Sequence, residues 1–112
     1  MPESELDRMI EVAVERLAQS NPQNSRKLVR DLANAWPNEP ALSIVFAVTS
    51  AAASLEDMID TPKSLRSAQL GYKLAALMSA DVFALEAMGR RPALGRDLLH
   101  FWRRVDPYFL EI

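Results

Sequence analysis

The sequence predicts an all-α fold, a compact bundle of about five helices forming a single domain over 1–112, and three observations carry that prediction. The stretch Ala41 to Leu55 (ALSIVFAVTSAAASL) contains no charge, no Gly and no Pro, so a helix there has no polar face to turn to water and belongs at the centre. On either side of it, apolar residues recur at three- and four-residue spacing, the period of a helix and not of a strand. Between these runs, Pro sits where helices should start or stop.

The first helix is expected to begin at Ser4, because Ser4-x-x-Asp7 has the form of a capping box and places a carboxylate at a helix N-terminus. Leu6, Met9, Ile10, Val12, Ala13, Val14 and Leu17 then form its broad apolar stripe, and Asn21-Pro22 ends it. A second helix is expected from Asn24 or Ser25, carrying Leu28, Val29, Leu32, Ala33 and Trp36 before Pro37. Pro37-Asn38-Glu39-Pro40 reads as a tight connector, since a residue before Pro is pushed out of the helical region.

The buried central helix spans 41–59 and pairs with a long helix over 62–88, opened by Thr61-Pro62 and stopped by Gly89. Small residues on both (Ala47, Ala51, Ala52, Ala53 and Ser54; Ala68, Gly71, Ala75, Ala76 and Ser79) permit close backbone approach. Pro92 is expected to open the fifth helix, which carries Leu94, Leu98, Leu99, Phe101, Trp102 and Val105 and ends before Pro107. Pro40-Ala41-Leu42 and Pro92-Ala93-Leu94 repeat a tripeptide, read as two uses of Pro at a helix start.

Composition narrows the function classes. The chain has no Cys and one His, which removes disulfides, thiolate catalysis and Cys-ligated metals together. The N-terminus MPESELDRMIEV is acidic and amphipathic, whereas a secretory leader starts basic and turns apolar, so a cytoplasmic protein is expected. The apolar run 41–55 is shorter than the roughly 20 residues of a membrane span, and no membrane partner is expected. Net charge is −2, running from −3 over residues 1–22 to +2 over 90–112.

Four candidate sites follow. Phe101, Trp102, Tyr108 and Phe109 put four aromatics within nine residues, more than a solvated helix end requires; they either close the core or form a homodimer contact. Arg90, Arg91, Arg96, His100, Arg103 and Arg104 are the candidate anion or nucleic-acid contacts, although Asp97 and Asp106 interrupt them and the overall pI is near 5.4. Asp81 continues the apolar row Leu70, Leu74, Leu77 toward Leu85 and Met88. A carboxylate there must be paired or hydrogen-bonded, with an Arg of the fifth helix as the expected partner and a ligand contact as the alternative. Asp97-x-x-His100 matches half of a di-metal helical site, but the remaining ligands are missing, so no metal or cofactor is expected.

With no nucleophile, metal set or phosphate loop, the expectation is a helical protein-interaction or regulatory module without catalytic activity, self-associating or bound to a protein partner. A nucleic-acid binder through the basic C-terminal helix, or a small-molecule pocket near Asp81, is the alternative.

Overall fold

Five helices and no strand make up the described part of the computed structural model, which covers residues 4–19, 22–58, 62–105 and 109, with backbone alone at 22–26, 58, 63 and 64. They are α1 (Glu5–Ala18), α2 (Pro22–Ala35), α3 (Ala41–Met58), α4 (Pro62–Ala87) and α5 (Gly95–Arg104). Ser4 caps α1 as its spacing predicts, its hydroxyl accepting from the Asp7 amide at 3.1 Å. Pro22 is the first residue of α2, two positions earlier than expected, because Pro pre-sets the helical φ at a position where its missing N–H costs nothing. The end of α4 is a Schellman turn: Arg90 N–H bonds to the Leu85 carbonyl and Gly89 N–H to that of Glu86, both at 3.1 Å. Gly89 supplies the φ of 103° that this turn demands.

α3 lies between α1 and α4 and packs extensively on both, while α2 and α5 pack together against the other side. The extents of 42 × 36 × 20 Å fit two layers of helices. α1 runs parallel to α3. Leu6 sits beside Leu42–Phe46, and Leu17 lies close to Gly71 and Ala52 further along. A methyl group on Gly71 would lie 2.9 Å from both the Ala52 Cβ and the Leu17 Cδ1, so the small residues of α3 and α4 do bring the two backbones together. α2 runs antiparallel to α1, since Trp36 just past its end donates to the Glu5 carboxylate at the start of α1. The ion pair described between these two helices joins Arg16 of α1 to Asp31 of α2.

The core is contributed by every helix, including Met9, Leu17, Leu28, Leu32, Ile44, Val48, Leu74, Met78, Leu98 and Trp102. One expectation about α3 needs correction. Ile44, Ala47, Val48, Ala51 and Ala52 are fully buried, but Leu42 is 56% and Phe46 55% exposed, and Val45 is half-buried. The helix has a solvent face although its first fifteen residues carry no charge, because its neighbours leave that side uncovered.

The fifth helix begins three residues after Pro92. Residues 93 and 94 are instead extended against the start of α3: Pro40 and Leu94 form an antiparallel bridge, with Ala41 N–H donating to the Ala93 carbonyl at 2.7 Å and Gly95 N–H to that of Glu39 at 2.9 Å. The repeated Pro-Ala-Leu tripeptides therefore lie side by side. Each helix start finds an acceptor in the other's leading strand, which satisfies amide donors that a helix N-terminus leaves open. The Asp97 carboxylate adds to this by accepting from the Leu94 amide at 2.9 Å.

Candidate functional site

Three of the four C-terminal aromatics belong to the core. Trp102 is 0%, Phe109 1% and Phe101 8% exposed, and the rings of Trp102 and Phe109 pack at 5.0 Å between centroids. Of the two expectations for this cluster, closing the core is the one the single chain satisfies, and little of these three side chains is left for a second copy. Tyr108 lies outside the described residues.

Asp81 is buried, and its described partner is not an arginine. The Trp102 indole N–H donates to its Oδ2 at 2.8 Å, tying α4 to α5 inside the core. Such a bond meets the requirement that a polar group on an apolar face be satisfied. None of the surface grooves described below reaches Asp81.

The basic residues gather as the sequence suggests, with one exception. Arg90, Arg96, His100 and Arg103 line one side of α5, around an open groove of about 420 Å³ that also includes Leu85 and Asp97. Beside it, Leu85, Met88, Phe101 and Val105 floor a second groove of about 370 Å³, with Arg90, His100 and Arg104 among its walls. Met88 and Val105 are 66% and 65% exposed. Arg91 donates through Nε to the Glu86 carbonyl at 3.1 Å, and Arg96 reaches Asn38 Oδ1 at 3.4 Å.

A third groove, of about 480 Å³, lies on the outer face of α3 and is lined by Leu6, Leu42, Ser43, Val45, Phe46 and Thr49. The lack of charge along 41–55 carried its signal, but that signal reads equally as a wholly buried helix. On α1, Leu6 lines this groove, Leu6, Ile10 and Val14 share one half-buried row, and Asp7, Glu11 and Glu15 form the exposed row one residue further round, away from buried Met9 and Ala13. At the other end of α3, Glu56 and Asp57 are exposed. The Glu56 carboxylate accepts from Tyr72, whose hydroxyl pKa is raised by loss of hydration first and then by Glu56 and Asp57.

Among the described residues no group of three His, Asp or Glu side chains is placed to hold a metal ion, and no helix is long and apolar enough to cross a membrane. Comparison with protein-family models, curated proteins and solved structures returns no match.

Proposed function

We propose that this chain is a helical protein-interaction module that docks through the outer face of α3. The observation that carries the reading is the exposure of Leu42 and Phe46, one turn apart on a helix with no charge in its first fifteen residues. Large apolar side chains grouped in this way mark contact surfaces more often than ordinary protein exterior. Leu6, Val45 and Thr49 extend the patch, with the Ser43 and Thr49 hydroxyls as its polar groups, in keeping with the mainly apolar centre of a docking site. No cluster of polar groups converges on it as an enzyme's substrate site would require.

The test is photo-cross-linking in the producing cell, with a benzophenone amino acid in place of Phe46 and, as control, in place of Lys73 on the exposed side of α4. The expected result is a discrete adduct from position 46 and none from position 73. Absence of any adduct at position 46 overturns the reading.

A further inference from the structure

We propose that the basic edge formed by α5 and the end of α4 is a second docking site, independent of the α3 face, and that its occupant is a short acidic segment of a partner protein in which apolar side chains alternate with Asp and Glu.

The two grooves on this edge share Leu85, Arg90 and His100, so they form one continuous surface. One part of it is apolar: Met88 and Val105 stand exposed beside the nearly buried Leu85 and Phe101, with Arg104 at the wall. The other part is cationic, adding Arg96 and Arg103 to Arg90 and His100. The ion pairs among the described residues are Arg8–Glu5, Arg16–Asp31 and Arg30–Asp31, so no described carboxylate holds Arg90, Arg103 or Arg104. Asp97 also lines the cationic part, but its carboxylate is engaged at the start of α5, where it accepts from the Leu94 amide at 2.9 Å. With Asp97 and Asp106 both counted, residues 90–106 still hold five Arg against two Asp, whereas the rest of the chain holds eight basic side chains against thirteen acidic ones. The positive field is local to this edge.

The chemistry of the surface selects its occupant. Guanidinium groups bind carboxylates through two parallel N–H bonds, and an exposed Met adapts to apolar partners of different shape. A ligand must carry both kinds of group to use the whole surface. A small organic anion would stay largely in water, because both grooves are open whereas small-molecule sites enclose most of their ligand. Single-stranded nucleic acid calls for aromatic faces on which bases stack, and the two aromatic side chains of α5, Phe101 and Trp102, are buried. A peptide segment with spaced carboxylates and apolar anchors meets the walls and the floor together.

Selection of random short peptides displayed on phage against the intact chain tests this, with a groove variant (Met88→Ser, Arg104→Glu) as counter-target. Both positions are exposed, and circular dichroism confirms that the variant is folded; should it misfold, Arg90→Glu with Arg103→Glu replaces it. The enriched sequences should interleave Asp or Glu with Leu, Phe or Met. In fluorescence anisotropy, a synthetic peptide of the enriched sequence should bind the wild type at least about tenfold more tightly than the groove variant. Added salt should weaken it. Polyglutamate, which has the charge without the apolar anchors, and oligothymidylate should each bind at least about tenfold more weakly than the peptide. Phe46→Ser should bind the peptide as the wild type does, which separates this site from the α3 face. A selection that enriches nothing, or only peptides without acidic side chains, overturns the proposal, as does equal binding to wild type and groove variant. Polyglutamate or oligothymidylate binding as tightly as the peptide also overturns it, and so does loss of peptide binding in Phe46→Ser, which would assign the peptide to the α3 face instead.

Discussion

The indole N–H of Trp102 donates to the carboxylate of Asp81 at 2.8 Å within the core, so the one acidic side chain on the inner face of α4 is also a clasp between α4 and α5. Removing the acceptor should leave the indole donor buried and unmet. Asp81→Leu should cost about 1–3 kcal/mol and Asp81→Asn less, since an amide oxygen can still accept. Trp102→Phe should cost at least as much as Asp81→Leu, and the double variant less than the two singles together, because both remove the same bond. Urea denaturation of the four variants checks this; strict additivity would show that the bond contributes nothing.

Gly95 stands where α5 begins against the connector between α2 and α3. A Cβ there would lie 2.5 Å from the Trp36 carbonyl oxygen and 3.2 Å from the Pro37 Cα, both backbone atoms that cannot swing aside. Gly95→Ala should therefore destabilise by about 1–3 kcal/mol or more, as overpacking does, and should loosen the bridge between Pro40 and Leu94. Amide exchange at Ala41, whose N–H bonds to Ala93, should accelerate in step. An unchanged unfolding midpoint would refute the close approach.

Ile44 and Phe46 are two residues apart on α3 and belong to opposite environments, 0% and 55% exposed. Ile44→Ala should cost about 2–5 kcal/mol through lost burial and the cavity it leaves. Phe46→Ser should change the stability of the isolated chain by no more than about 0.5 kcal/mol, as surface substitutions do. Chemical denaturation in dilute solution distinguishes them, and comparable losses at the two positions would mean that the outer face of α3 is covered within the chain.

Tyr72 carries a pH prediction. Its hydroxyl pKa is raised above the ordinary 10.0 by loss of hydration and by the Glu56 and Asp57 carboxylates beside it. A group that holds its proton more tightly when folded contributes stability that is intact below its unfolded pKa and lost as pH rises through the folded value. Tyr72→Phe should then lower stability slightly at neutral pH, where the hydrogen bond to Glu56 is lost, and flatten part of the decline above about pH 10. Ultraviolet titration of the phenolate should show the wild-type transition moving down in the Glu56→Gln variant. A titration indifferent to that substitution would exclude the pairing.

Local chemistry made most of the helices legible before any packing was known. Ser4 with Asp7, Pro62 and Gly89 mark ends that depend on the amides and carbonyls of their own turn, and the observed limits of α1, α3 and α4 follow them closely. Where the sequence misled, a long-range partner had intervened. Pro92 has the features of a helix start, yet residues 93 and 94 stay extended because Ala41 and Pro40, some fifty positions earlier, offer them a pairing that no local pattern encodes.

The same division holds for the candidate sites. Apolar spacing identified Asp81 as an acid on an inner face and the Arg90 to Arg104 segment as a basic edge, since which residues share a face depends only on the helical period. Which faces are covered depends on where the other helices lie. Tertiary packing alone buried Phe101, Trp102 and Phe109, gave Asp81 the Trp102 indole as a partner, and left Leu42 and Phe46 uncovered on a stretch of helix whose first fifteen residues carry no charge.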